Sequence, residues 1–243
     1  MLSLLDRGMD SGDLEREIGI RASTILHAVR DLVEDRLVVK ENHGYALTSI
    51  GRIQAMLLDR LASAIVALDQ QKDFWLTHDL SGIPNELQMK IWMLADSRIV
   101  TADSIAILRS VENFIKELVK SKEINGISPV IAPGYSDAIS TAINNGAKVN
   151  LILTGSLLDK ISLEHNTMLN ELLASESFRL YRIDSDVKVA FTITDSLLAL
   201  GLFRKKGDYD IGNDLICEGE LAREWGKELF DYYLSMSKLI NII

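Results

Sequence analysis

The stretch SGDLEREIGIRASTILHAVRDLVEDRLVVKENHGYALT, residues 11–48, leaves a chain few ways to fold. Residues 11–18 open with small polar and acidic side chains suited to a helix N-terminus, and Leu14 and Ile18 recur four apart. Gly19 breaks that run, and a second helix is expected from about Ala22 to Asp35. At about 100° per residue, Val29 and Leu32 fall within about 40° of Ile25, Ser23, His27, Arg30 and Glu34 lie about 140° to 200° away, and Thr24 sits on the flank. One face is therefore apolar and the other polar. Leu37, Val38 and Val39 then read as a strand, ENHG as a turn with Gly44 supplying a positive φ, and YALT as the returning strand.

Helix, glycine turn, helix and two-stranded hairpin is the order of a winged helix-turn-helix, in which the second helix enters the major groove and the wing touches the backbone or minor groove. On that reading residues 1–52 form a DNA-binding domain. Ser23, Thr24, His27 and Arg30 face the groove, Arg21 lies near the helix N-terminus, and Lys40 or His43 sits on the wing. The alternative is a small helical packing module with a solvated polar face.

The whole chain carries a formal net charge of −9, which argues against a nonspecific binder that coats duplex DNA with lysines. A specific reader is not excluded. Residues 1–60 hold eight Lys and Arg against ten Asp and Glu, so most of the acidity lies beyond the winged-helix pattern. With 243 residues, two unequal domains are expected. The single Cys217 has no internal disulfide partner, and four scattered histidines offer no zinc-ligand spacing, so neither a metal nor a cofactor is expected. The apolar runs are too short to span a bilayer and MLSLLDRG turns charged too soon for a signal peptide; a cytoplasmic protein with no membrane partner is expected.

From Ile50 to about Lys72, apolar residues recur at three- and four-residue steps: Ile53, Met56, Leu57, Leu61, Ala64, Ile65 and Leu68. Residues 53–72 thus read as a linker helix whose stripe must be buried on its own domain or against a second copy of the chain; a homodimer would suit paired DNA half-sites. Residues 73–243 change pattern. SRIV, INGISPV and AKVNLILT alternate with helical segments, while FRLYRI, VKVAFTIT and LLALGLF follow in close succession. Alternation argues for a parallel sheet covered on both faces, and the later strands for an antiparallel extension. The fold class is therefore α/β: an N-terminal winged helix-turn-helix, a linker helix and a C-terminal α/β domain with a mixed sheet. A final helix carries the stripe Leu221, Trp225, Leu229, Tyr232, Met236 and Leu239.

The stretches FWLTHDLSGIP, INGISPV, AKVNLILT, VKVAFTITDSLLALGLF and EWGKELFDYYL, in this order, make the chain resemble archaeal winged-helix transcription regulators that carry the middle domain of the methanogenesis (filamentation) regulatory protein family. The resemblance covers nearly the whole chain. It implies a methanogen DNA-binding regulator whose C-terminal domain senses a ligand or engages a partner. Only nine residues precede DSGDLE, so the usual first helix is short, and the DNA module is expected to lean on the linker helix or a partner chain. The C-terminal domain also distantly resembles the phospholipase D-like fold. There a strand carries His, one residue, Lys, four residues and Asp; with Asp195 as the acid, Lys188 stands in the histidine's place and Ala190 in the lysine's. No nucleophile remains for a phosphoenzyme, so no enzyme is expected, and Asp195 reads as a strand-end turn residue.

His78 and Asp79 in THDLSGIP are candidates to line a pocket, although capping and a tight turn at Gly82 and Pro84 account for the same residues. Tyr135 follows APG at a helix start that offers room for an anionic group, and a Pro-Gly turn explains it equally. His78, Ser81 and Tyr135 are taken as ligand-binding candidates. Gly155 and Ser156 read as helix caps, and Cys217 as a buried strand residue. The expected function is a sequence-specific transcription regulator that binds double-stranded DNA as a homodimer, controlled by a small-molecule effector or partner protein. The alternative is a protein-interaction or ligand-binding module without DNA binding.

Overall fold

In a computed structural model that describes residues 1–101, 107–130 and 134–241, with 107–113 followed along the backbone, the chain divides into two compact units, Met1–Ile65 and Val66–Ile243. The first unit begins with a 3-10 turn over Leu2–Leu4. Helices α1 (Ser11–Ile18) and α2 (Ala22–Glu34) follow, then a hairpin of β1 (Val38–Glu41) and β2 (Gly44–Leu47). Asp10 caps α1 by accepting the Asp13 N–H at 2.7 Å, and Asp13 accepts the Asp10 N–H in return. Gly19 closes α1 in the left-handed region, as its sequence position predicts.

Leu4, Met9, Leu14, Ile25, Val29 and Val38 form the buried core of this unit, with Leu32, Tyr45 and Leu47 packed against it. Six buried side chains are a small core, and the long helix α3 (Ser49–Gln70) supplements it. Gly51 lets α3 approach so closely that an added Cβ would lie 1.8 Å from the Leu37 carbonyl oxygen, Ala55 is fully buried, and Arg52 donates to the Leu5 carbonyl at 2.9 Å. The hairpin strands lie a residue or two away from the expected limits because Arg36, at φ 57°, ends the turn after α2 and delays the ladder to Val38. Gly44 has φ +133°, and a Cβ there would stand 2.3 Å from the Met9 carbonyl, whose chain bridges to Tyr45.

The second unit holds α4 (Lys72–Thr77), α5 (Asn85–Gln88), β3 (Arg98–Thr101), α6 (Ile107–Lys120), β4 (Glu123–Ser128), α7 (Tyr135–Asn144), β5 (Lys148–Thr154), α8 (Gly155–Leu173), β6 (Phe178–Ile183), β7 (Val189–Thr194), β8 (Leu198–Phe203), β9 (Tyr209–Cys217), α9 (Glu220–Ser235) and β10 (Lys238–Ile240). Among the described residues its eight strands lie in the order β10-β6-β5-β4-β7-β8-β9-β3. Only β4, β5 and β6 are mutually parallel; the rest pair antiparallel. SRIV therefore departs from the parallel reading: as β3 it lies antiparallel to β9 at the sheet edge, a long-range pairing that alternation with helices does not reveal. FRLYRI departs the other way: as β6 it pairs parallel to β5 across the α8 crossover instead of opening the antiparallel extension.

Two apolar layers sandwich the sheet. One includes Phe74, Trp75, Leu94, Trp225, Leu229 and Tyr233; the other includes Leu118, Ile139, Leu158, Leu169 and Leu180. Trp225 is fully buried and donates its indole N–H to the Leu87 carbonyl at 2.9 Å, and the Tyr233 hydroxyl donates to the Gly82 carbonyl at 2.6 Å. Gly226 seats α9 against the sheet, where a Cβ would lie 2.9 Å from both Ile193 and Leu198.

Gly51→Ala should destabilise the first unit by about 1–3 kcal/mol, since the obstructing atom is backbone and cannot swing away. Gly19→Ala meets nothing within 4 Å, and its cost of about 1–2 kcal/mol is conformational alone. Denaturant unfolding followed by circular dichroism, with the tryptophan fluorescence that reports only the second unit as reference, checks both.

Candidate functional site

In the first unit, α2 turns Ile25 and Val29 into the core and leaves Ser23, Thr24, His27 and Arg30 exposed. Arg21 is the exposed N-cap residue of α2 and makes no capping hydrogen bond with its side chain. Lys40 on β1 and His43 in the wing turn are also exposed. The helix is electrostatically polarised. Its first turn has no acid, while Asp31, Glu34 and Asp35 gather at its C-terminal end, and His27 Nδ1 lies 3.5 Å from Asp31 Oδ2. Phosphates are thus best tolerated toward the N-terminal half. Arg36, exposed at the left-handed turn before the wing, adds a cation that the sequence pattern did not single out.

In the second unit, His78 lies at the end of α4 with only 3% of its surface exposed. Its Nδ1 faces the Phe74 carbonyl at 2.7 Å, and its Nε2 faces Asp210 Oδ2 at 3.1 Å. Asp210 also accepts from Arg204 at 2.6 Å, Asn213 at 2.9 Å and the Gly212 N–H at 3.1 Å. Burial pushes the Asp210 carboxyl upward, but these donors and the Arg204 charge prevail and hold it below the usual carboxylate range. Asp214 has the opposite balance. Burial and the negative Asp210 push it up to about 6, against the hydrogen bond from the Tyr209 hydroxyl. Gly201 makes this arrangement possible, because a Cβ there would stand 2.1 Å from the Tyr209 hydroxyl.

A cleft of about 1010 Å³ opens beside this cluster, lined by Phe74, His78, Ile99, Arg204, Lys205 and Asn213 among others. His78 borders it, but Ser81 and Tyr135 do not. The Ser81 N–H is bound by Asp79 at 2.9 Å, and the Tyr135 hydroxyl meets Thr192 at 3.0 Å, its pKa raised by burial. The structure therefore does not bring the three candidates together. Ala132 and Pro133 of APGYSD lie outside the described residues. Asp210, Arg204 and Asp214 escaped the sequence reading because β9 and the turn before it carry no motif; the signal was the acid spacing in DYDIGND.

Lys188 pairs with Asp186 at 2.9 Å, Ala190 is buried, and Asp195 sits in the bend after β7, accepting the Lys122 N–H at 2.9 Å. These three positions do not converge on one another's functional groups. Cys217 is buried at the end of β9 as expected, whereas α8 begins at Gly155 with Thr154, rather than Gly155 or Ser156, at the cap position. No helix among the described residues is long and apolar enough to cross a membrane.

Residues 107–236 match the model of the middle domain of the methanogenesis regulatory protein FilR1, and residues 1–66 match that of its N-terminal domain. The chain belongs to this family. It is 40% identical over 246 residues to the methanogenesis regulatory protein FilR1 of Methanothrix harundinacea (strain 6Ac), an alignment covering 99% of this chain and 55% of the relative. The chain thus spans about half the length of that curated relative. Among solved structures it is similar to TrmBL2, an archaeal chromatin protein described as showing a novel mode of DNA binding, at 15% identity and a TM-score of 0.48 over 98% of this chain and 91% of that one. It is also similar to NucT from Helicobacter pylori, at 12% identity and a TM-score of 0.44 over 58% of this chain and 96% of that one.

The raised Asp214 carboxyl has a consequence for stability. Below about pH 3 it is protonated in folded and unfolded chains alike; as pH rises to about 6 the unfolded chain releases a proton the folded chain keeps, and stability is lost. Asp214→Asn should therefore unfold like the parent near pH 3 and be more stable by about 3 kcal/mol at pH 7.5. Tryptophan-detected denaturant unfolding at the two pH values measures the difference, and an equal difference at both would show that Asp214 ionises normally.

Proposed function

We propose that the chain is a sequence-specific transcription regulator that binds duplex DNA as a homodimer, with α2 in the major groove and the β1–β2 wing against the backbone. The observation that carries this reading is the polarised helix: an exposed Ser23, Thr24, His27 and Arg30 face beginning at Arg21, on a core that buries the opposite side. Arg21, Lys40, His43 and Arg36 would position it on phosphates, and Arg30 would reach a base edge. Membership of a regulatory protein family supports the same conclusion. Acids at the far end of α2 repel phosphate, which favours docking by the helix's first two turns over contact along its whole length.

The second unit would bias the DNA-binding state through a small ligand or a partner protein that prefers one arrangement of the dimer. The cleft beside His78 is the proposed ligand position, with His78 held in place by Asp210 rather than free to move. No catalytic role is assigned. Lys188, Ala190 and Asp195 supply no nucleophile, so the unit is read as a binding domain.

A second reading is favoured by the exposure of Leu26 at 39% and Val33 at 37% beside Asp31 and Glu34: the winged unit would dock a protein instead. Fluorescence anisotropy with genomic fragments across a salt series separates the two. A DNA reader should show sequence-selective binding that falls steeply with salt, and a protein-docking module neither. Arg30→Ala should weaken binding to the selected fragment by about 1–3 kcal/mol with the fold intact by circular dichroism. Unchanged affinity would place Arg30 outside the interface.

A further inference from the structure

The α3 helix, most of which lies in the first unit, leaves much of its apolar surface uncovered. Gly51 and Ala55 pack inward, yet Ile50 is 62% exposed, Ile53 60%, Leu57 60%, Leu61 57%, Ile65 51% and Leu68 41%. At about 100° per residue these six fall within about 60° of one line down the helix, about 27 Å long, while Met56, Leu58 and Val66, 43–47% exposed, lie to either side of it. Gln54 is the single polar side chain inside that band, and Arg52 and Asp59 point to the opposite side. Scattered exposed leucines are ordinary, but a continuous apolar band on one rigid element marks a contact surface.

We propose that this band is the seam at which two copies of the chain meet, α3 against α3. The inference rests on the homodimer reading above and names its interface. Three features select a second copy as the occupant. The apolar residues step by three and four along the helix, the spacing with which two like helices interlock side chains. The band leaves roughly 600 Å² of apolar surface per copy, near the ~800 Å² per partner of a standard interface, and a twofold axis lets the same surface serve both sides. Finally, each copy carries a net charge of −9, so like-charge repulsion between two copies is least across a surface free of acids, and no acid lies within the band. Because α3 starts two residues after the wing strand β2, pairing here fixes the separation of the two α2 helices.

Sedimentation velocity on the full chain over a wide concentration range tests the proposal. The parent should sediment at twice its 27.1 kDa mass, Leu57→Glu/Leu61→Glu at the single mass with unchanged helicity, and Leu163→Glu, which alters an 87% exposed leucine on α8, at the parent's mass. If the glutamate pair unfolds the chain, cysteine cross-linking decides, with the buried Cys217 as an inert background. Leu57→Cys should form a disulfide-linked dimer if the helices run parallel, and Leu57→Cys/Leu61→Cys in either sense, whereas Leu163→Cys should not. A folded glutamate variant that stays dimeric, or a dimeric parent that yields no cross-link at residues 57 and 61, overturns the seam and leaves the homodimer standing. A parent that is monomeric at every concentration overturns both. The monomerised variant should also lose about tenfold or more in affinity for a two-half-site fragment while binding one half-site like the parent, which keeps the DNA reading separately testable.

Discussion

The Thr48 hydroxyl holds the frame of the first unit. It donates to the Arg36 carbonyl at 2.8 Å and accepts the Gly51 N–H at 3.1 Å, so one oxygen joins the turn after α2, the end of the wing and the first turn of α3. The close passage of Gly51 over the Leu37 carbonyl follows from that junction. A unit with so few core side chains cannot orient a helix by apolar packing alone, because apolar contacts are not directional. Directional bonds at its two ends, Asp10 with Asp13 and Thr48 with Arg36, supply the missing orientation, and the aim of the α2 polar face depends on them.

The second unit solves a different problem. Large aromatic residues fill its layers, and their polar tips are bonded inside: Trp225 to Leu87, Tyr233 to Gly82, and Trp75 to Ala67 at 3.0 Å. Against this apolar interior stands the Asp210 cluster, where four donors converge on one carboxylate. Buried charge of this kind does not by itself make a fold more stable, because desolvation offsets most of the attraction. Its presence beside a cleft is better understood as the fixing of geometry, with His78 and Arg204 held at set positions on the cleft wall. The acidity of the chain is consistent with such local arrangement, since what a surface attracts depends on which charges face it rather than on their sum.

The winged unit was legible in the sequence because its signals are local. Gly19, Gly44 and the Ile25–Val29 spacing each act within a few residues, and α1 and α2 appear within a residue of their expected limits. The second unit was legible as strands and helices but not as an ordered sheet. β3 looks like the opening strand of a parallel series, yet its partner β9 is over a hundred residues away, and nothing near Arg98 encodes that partner. β10 is three residues long, below the length at which alternation carries information, and its Leu239 extends the helical spacing of Leu221 to Met236 although it lies in the strand and not in α9. The ligand candidates fared unevenly for the same reason. His78 was noticed for its own chemistry, whereas Asp210 and Asp214 gain theirs from neighbours brought in by tertiary folding. The Ile50–Leu68 stripe was plain in the sequence, but only coordinates show which side of it meets the core.

The ties that close the second unit also set an order of events on the ribosome. Trp225 reaches Leu87 across 138 positions and Tyr233 reaches Gly82 across 151, so its sandwich cannot shut until α9 has left the exit tunnel. The winged unit makes its contacts within its first 65 residues and can fold well before that. Until then a nascent chain holds a folded winged unit while the apolar underside of its sheet still waits for a cover. In that interval the exposed apolar face of the sheet is the part of the chain most open to aggregation.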